Sequence, residues 1–421
     1  MPLTLANHPV SDLQYGDSTH LEGTTLYVNS DELLQYLLQD SRLRRVHLDL
    51  VHPGDVCRFG VVFDILEPRA KATGEGSDFP GVLGPLQAAG QGTTHVLQGA
   101  AVSVIDTGAP LANGKVVEMS GEPAATCPYA SLHHLVITPE TQPELERHVA
   151  QHALRLVSVK AAAYLARSAL DQTPLATEII DTPGPAGATE RAGLPRFAYI
   201  GQIHSRQRVA EVDEQIFYGA NTTGMVPVML HPNEWLDGAI IAGHQNQGVE
   251  TYFYQNHPII TELIRWHQEG KINFVGTIAT MAASDNEDRE RNCMLAAQQA
   301  RWNLAADAVI LTKFGGGAPH ADMSLTAKIC EGLGMSTSVQ VSDMSSDRRA
   351  ESALLFNYPE VDAIVYVGGN DTGWEVPAVE RVIAATPELA AALGEPQRLA
   401  SGRVCGVTSQ QGASHLRSFI Y

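Results

Sequence analysis

Histidines, carboxylates and glycines recur in this chain where apolar runs of strand length end. The densest case is DAVILTKFGGGAPHAD, Asp307–Asp322: a short apolar run, then Gly315, Gly316 and Gly317, then Pro319, His320 and Asp322, then helix-like sequence. A strand that empties through glycines into a helix brings bare backbone N–H groups and the helix dipole to one point, which suits a polar or anionic ligand. The glycines lack the GxxxxGK[ST] spacing of a phosphate loop, and turn chemistry alone equally explains them as a tight strand-to-helix connection. His204 follows the run Arg196–Ile203, and His231 follows Met225–Leu230. His244, Gln245 and Asn246 follow Gly238–Ala242, while Asn370 and Asp371 follow Ala363–Val367 through two glycines, with Glu375 at the next predicted helix start. Imidazoles and carboxylates collected on one sheet edge make either an acid/base set tuned near neutral pH or a divalent-metal site with His204, His244 and His320 as candidate ligands. No HxH, HExxH or HxxxH pair on one helix fixes two ligands locally, so both readings stay open.

Other reactive types read as structural. His133 and His134 are adjacent in a strand pattern and point to opposite faces, so at most one serves any site. Glu67-Pro68-Arg69 is expected to form a local ion pair at a strand end. Cys57, Cys127, Cys293, Cys330 and Cys405 have no CxxC or metal spacing and fit reduced thiols packed as small hydrophobes.

Two kinds of sequence must position these groups. From Thr4 to about Leu135 the pattern is mostly β, with LEGTTLYVN, RRVHLDLVHPGD, CRFGVVFDILEPR, THVLQGAAVSVI and KVVEMSG broken by Gly, Pro, Asn and Asp. One helix, Ser30–Gln39, interrupts them with Ser30 as its expected N-cap. Lys71–Gly92 is a Gly/Pro-rich loop of a length that is usually functional or covered. Leu, Val and Ala at three- and four-residue spacing predict one or two helices over Pro139–Ala169, and Pro183–Pro195 reads as a linker. The remainder alternates strand and helix. Strands are expected at the runs above and at Ile272–Thr277, Ala308–Thr312, Thr337–Val341 and Arg403–Val407. Helices are expected at Ile259–Glu269, Asn286–Trp302, Met323–Gly332, Ser346–Asn357 and Val376–Ala392. The expectation is an α/β protein: a β-rich domain at 1–138, a helical segment and linker at 139–190, and a doubly wound, mostly parallel Rossmann-like region at 191–421, with a division near 345.

At 421 residues the chain needs no disulfide or metal to bury a core. A net charge of −19, with no basic run longer than two residues, excludes nucleic acid and anionic membranes as partners. No apolar stretch approaches the roughly 20 residues of a membrane helix, and the N-terminus has no secretion signal, so a cytoplasmic location is expected.

Twelve short motifs in order sharpen this reading: LYVN, HPGD, EPRAK, the FPG loop, GTTHVLQGAAV, MSG, KAAAYLA, DGAIIAG, NHPII, the PHAD turn, VGGND and RSFIY. Together they resemble the proprotein subunit of component B of the glycine, sarcosine and betaine reductases, with the D-proline reductase proprotein a more distant likeness. The resemblance implies a subunit that cuts itself before a cysteine and leaves a pyruvoyl group, which condenses with a substrate amine while a selenol or thiol of a partner subunit splits the C–N bond. The family's cysteine lies just after the strand that here reads DGAIIAG. This chain continues GHQNQGVETYFYQNHPII; neither Ser nor Cys occurs between Ser205 and Ser284, and the only threonine in the equivalent loop is Thr251. Self-cleavage needs a side-chain nucleophile.

The expectation is therefore an uncleaved component-B-like subunit without a pyruvoyl group. It would act in an oligomeric complex, with a second, selenoprotein-B-type reductase subunit, on a small amino-acid-derived substrate. His244, His320 and Asp322 are its candidate catalytic residues. His204, Gln245, Asn246, Gly316, Gly317, Asn370 and Glu375 are candidates for substrate binding. The alternatives are a noncatalytic scaffold of such a complex and a metal-assisted enzyme using the clustered histidines.

Overall fold

The computed structural model describes residues 2–109, 114–182, 193–203, 225–241, 250–282, 286–343, 360–369, 372–412, 414–416 and 419–420. The first half contains β1 (Leu3–Pro9), β2 (Asp12–Tyr15), β3 (His20–Glu22), β4 (Thr25–Val28), α1 (Ser30–Leu37), β5 (Leu43–Val51), β6 (Cys57–Gly60), β7 (Val62–Leu66) and β8 (Arg69–Lys71). It continues through β9 (Gly92–Gln98), β10 (Ala100–Ile105), β11 (Val116–Glu118), α2 (Gly121–Thr126), β12 (His133–Thr141), α3 (Arg147–Ala166) and β13 (Ala176–Ile180). These strands form small sheets, β13-β1-β9-β8, β5-β12-β10-β7 and β2-β4-β3, with α3 laid across β7, β8 and β10. The predicted helical stretch starts later than its periodicity suggests, because Pro139–Thr141 ends β12 in register with Val46–Leu43. The cap of α1 is Asn29, whose side chain accepts the Glu32 N–H at 3.1 Å; Ser30 is the first helical residue.

The second half contains β14 (Arg196–Gln202), β15 (Val228–Leu230), α4 (Pro232–Leu236), α5 (Thr251–Gln255), α6 (Pro258–Gln268), β16 (Asn273–Thr280), α7 (Asn286–Gln298), β17 (Ala308–Thr312), α8 (Ala318–Gly332), β18 (Ser336–Asp343) and β19 (Ala363–Gly369). It ends with β20 (Gly373–Val376), β21 (Arg381–Ile383), α9 (Pro387–Gly394), β22 (Gln397–Ala400) and β23 (Phe419–Ile420). One seven-stranded sheet runs β15-β16-β14-β17-β18-β19-β23, parallel except at its two edges. Its strands are near-continuous apolar runs because both faces are covered. On one face Ala198, Ile200, Val309, Leu311 and Val339 pack on α7 and α8; on the other Tyr199 and Phe274 pack on α4 and α6.

Three expected elements differ. Ala239, Ile240 and Ile241 are buried without strand pairing, since a short apolar run marks burial before it marks a strand. Arg403–Val407 is a 3₁₀ end and turns. The Val376–Ala392 helix is interrupted: Pro377 follows β20, and α9 begins only at Pro387, with Thr386 capping Leu389 N–H at 3.3 Å. The Ser346–Asn357 helix lies outside the described residues. No described helix is long and apolar enough to cross a membrane.

The C-terminal segment returns to the first half. β21 pairs in parallel with β6, and Val404 bridges Val116. Arg58 is buried in this seam, with Nε on Glu118 Oε2 at 2.5 Å and its guanidinium donating to the carbonyls of Leu393 and Pro377. The Lys71–Gly92 loop is held down in turn, as buried Phe79 lies against Gly238 and Lys71 Nζ pairs with Asp237 at 2.5 Å.

Candidate functional site

Numbering only the five parallel strands in chain order, the sheet reads 2-1-3-4-5. Its order reverses between β14 and β17, so connections leave these neighbours toward opposite faces, the position at which sheets of this order form a ligand crevice beyond their carboxyl ends. The glycine turn and the start of α8 stand at that point. Gly315 (φ 77°) and Gly317 (φ 66°, ψ −124°) take backbone conformations that other residues rarely adopt, which is what the three-glycine spacing supplies. Gln202, the last residue of β14, reaches across and donates to the Pro319 carbonyl at 2.9 Å.

Beneath this turn sits a lysine that the sequence reading passed over. Lys313 directly follows β17 and is fully buried; its Nζ donates to Gly315 O at 2.7 Å and to Gln410 Oε1 at 2.9 Å. Burial lowers its pKa to about 8. His320, on the first turn of α8, is buried beside it; burial first and the Lys313 charge second bring its pKa down to about 3, so its imidazole is neutral at pH 7. Asp322 lies two residues on, about 200° around the helix, and does not share His320's face. Its buried carboxylate is paired with Arg289 Nε of α7, while its carbonyl accepts from Cys293 Sγ at 3.3 Å and Thr326 Oγ1 at 2.8 Å. His320 therefore faces the crevice lysine and Asp322 faces the helix pair.

Under the crevice runs a buried polar chain. Tyr199 of β14 shares hydrogen bonds with Thr312 Oγ1 at 2.6 Å and His257 Nε2 at 2.9 Å. His257 caps α6, and complete burial lowers its pKa to about 3. Over it lies the C-terminal turn that holds Gln410. Its neighbour Gln411 is 1% exposed, and among the described residues neither atom of its side-chain amide has a hydrogen-bond partner. A buried amide left so in a folded chain costs free energy and marks a place where a polar ligand could complete the bonding.

The segment 242–249, where the resemblance places the family's cysteine, lies outside the described residues, but the chain that leaves it is firmly held. Glu250 accepts from Tyr129 OH at 2.8 Å. Thr251 donates its N–H to Asp64 Oδ1 at 2.8 Å and its hydroxyl to Asp64 Oδ2 at 2.6 Å. Burial raises Asp64 to about 7, partly offset by those two bonds. A cleft of about 470 Å³ runs alongside, between the two halves, with Arg69, Gln255, Asn256, Glu262 and His415 in its wall. Arg69 is fixed there by Glu67 at 2.6 Å, the ion pair read from Glu67-Pro68-Arg69, and by Asn256 at 3.1 Å.

His204, His244, Gln245, Asn246 and Asn370 also lie outside the described residues, so the proposed His204, His244 and His320 metal set is described only at His320. His231 caps α4 in a capping box and bonds to Thr182, a structural role. Glu375 is on β20, exposed, with Arg398 of β22 at 3.4 Å. The residues that sequence reasoning missed are Lys313, Tyr199, His257, Gln410 and Gln411. Only Lys313 carried a signal, as one of few lysines and the only charge between an apolar strand and the glycines.

The family model for glycine/sarcosine/betaine reductase component B subunits matches residues 1–401. The chain belongs to that family. It is 31% identical over 388 residues to the sarcosine reductase complex component B subunit alpha of Peptoclostridium acidaminophilum, covering 91% of this chain and 89% of the relative. It is 30% identical over 387 residues, with the same coverages, to the glycine reductase complex component B subunits alpha and beta of Acetoanaerobium sticklandii. The betaine reductase complex component B subunit alpha of P. acidaminophilum is 30% identical over 400 residues, covering 93% of this chain and 89% of the relative. No solved structure matches. Within this component B chain, the EPRAK motif is the Glu67–Arg69 pair and Lys71, and the PHAD turn is the start of α8 with His320 and Asp322.

Proposed function

We propose that this component B family member works uncleaved and without a pyruvoyl group, as the substrate-holding subunit of a cytoplasmic reductase-type complex. It receives a small amino-acid-derived substrate and presents it to a second, reductase-like subunit. The observation that carries this reading is the absence of Ser and Cys between Ser205 and Ser284, which removes the nucleophile of the family's self-cleavage. Support also comes from Thr251, the only threonine in the equivalent loop, whose N–H and O–H are both committed to Asp64 at the start of α5.

In this reading the crevice beyond β14 and β17 holds the substrate. Lys313 supplies positive charge, neutral His320 and the Gln411 amide supply hydrogen bonds, and the backbone of Gly316 and Gly317 allows close approach. Asp322, neutralised by Arg289, orients the start of α8. His244 is assigned the role of proton donor, and His204, Gln245, Asn246 and Asn370 are assigned substrate contacts, whereas Glu375 is exposed on β20.

The test is an intact mass under denaturing conditions. One species at about 45.2 kDa is the expected result. Two fragments divided near residues 244–251 would overturn the reading and restore an amine-condensing carbonyl, with Thr251 as the cleavage nucleophile.

A further inference from the structure

Away from the crevice, three side chains from three separate elements converge on the β-rich half. His52 follows β5, His133 opens β12, and Asp12 opens β2. His52 Nδ1 lies 3.1 Å from His133 Nδ1 and 3.9 Å from Asp12 Oδ1, and one donor atom from each of the three falls within 4.8 Å of the others. Donors around a tetrahedral ion with metal–nitrogen bonds of about 2.0–2.1 Å are separated by about 3.3 Å. The two imidazoles already stand at close to that separation, and the carboxylate needs only a small side-chain movement to join them.

Each donor is held by its own backbone. His52 starts the HPGD turn, in which Asp55 N–H returns to His52 O at 3.1 Å, Gly54 takes φ 88°, and the Asp55 carboxylate accepts the His52 N–H at 2.9 Å. The His133 N–H is bonded to Gly99 O at 2.8 Å. Its neighbour His134 turns into the core, where Ser103 and the Tyr129 carbonyl hold it, so the pair divides between the two faces. Asp12 accepts from Leu13 N–H at 2.9 Å and Gln14 Nε2 at 2.6 Å. All three side chains are half-buried and open to solvent on one side, which leaves room for water to complete a coordination shell.

We propose that Asp12, His52 and His133 form a binding site for a borderline divalent cation, of which Zn²⁺ is the probe of choice. Two imidazoles and one carboxylate select such ions over hard Mg²⁺ or Ca²⁺, which take all-oxygen shells. The bound ion joins the β2-β4-β3 sheet to the β5-β12 pair. The site is separate from the crevice and does not depend on the proposed function.

The experiment is Zn²⁺ titration of the chelator-stripped full chain by calorimetry, with Co²⁺ absorbance as a second probe. Wild type should bind one ion per chain at this site, with a visible Co²⁺ spectrum that Zn²⁺ displaces. His52→Gln and His133→Gln should each weaken that binding about 100-fold or more, at least the upper range seen for outer-shell changes. Asp12→Asn should weaken it less. His47→Gln, a substitution of an exposed histidine of β5 that faces Glu140 of β12, should leave it unchanged. The thermal midpoint should rise with Zn²⁺ in wild type and not in His52→Gln. Absence of a Co²⁺ spectrum in wild type would overturn the proposal without recourse to any variant. Full retention of binding in the His52→Gln/His133→Gln double variant, or its loss in His204→Gln or His244→Gln instead, would overturn it equally.

Discussion

An ammonium sealed from water destabilises the fold for as long as it keeps its proton, and Lys313 carries that burden at the carboxyl end of β17. A fall from the usual Lys value of about 10.4 to about 8 corresponds to about 3 kcal/mol. The sign follows from proton uptake: between pH 8 and 10.5 the unfolded chain binds more protons at this site than the folded one, so this residue makes stability rise with pH across that window. Lys313→Met should therefore hold or raise the denaturant midpoint at pH 7 and abolish that part of the rise above pH 8. If Lys313 serves the substrate, the same variant should lose activity in the reconstituted complex. A structural lysine would show the first effects without the last. Gln411 is the parallel case with a neutral group. Gln411→Leu removes a buried amide that has no partner among the described residues and should stabilise the protein by about 1 kcal/mol in thermal melts, while weakening substrate binding by the crevice.

Among the elements, α5 shows how a short helix depends on a distant strand. Its five residues cannot stand on helix propensity, and its start is fixed by Asp64 of β7 through both Thr251 bonds. Thr251→Val keeps the shape and leaves one buried Asp64 oxygen short of its donor. It should lower the thermal midpoint by the equivalent of about 1–3 kcal/mol, and Thr251→Ser should recover most of that loss. The same comparison bears on cleavage: a single full-length species in both wild type and Thr251→Val accords with an uncleaved chain.

At the scale of the whole molecule, one buried arginine ties the returning C-terminal segment to the first half. Arg58, completely buried, holds Glu118 and the carbonyls of the returning C-terminal segment. Arg58→Met strands a buried carboxylate and should cost about 3–5 kcal/mol in urea unfolding, whereas Arg58→Met/Glu118→Leu should regain much of it, because replacing a buried pair by apolar groups is often neutral. Additive losses in the two single variants would show that the seam depends on the carbonyl contacts rather than on the pair.

Local chemistry was legible in the order of residues. Continuous apolar runs announced a parallel sheet, the adjacent histidines announced opposite faces, Glu67 and Arg69 announced their pair, and the five cysteines announced small buried side chains, because each depends on neighbours within a few residues. The twelve ordered motifs announced the family. Folding alone supplied what depends on separation: the Asp64–Thr251 clamp joins residues 187 positions apart, and Arg58 meets Leu393 across 335. The lone charge at Lys313 was visible in the sequence, but only the glycine turn and the C-terminal turn bury it. Its burial, its lowered pKa and its place at the reversal of strand order are properties of packing, and no local pattern in the sequence encodes them.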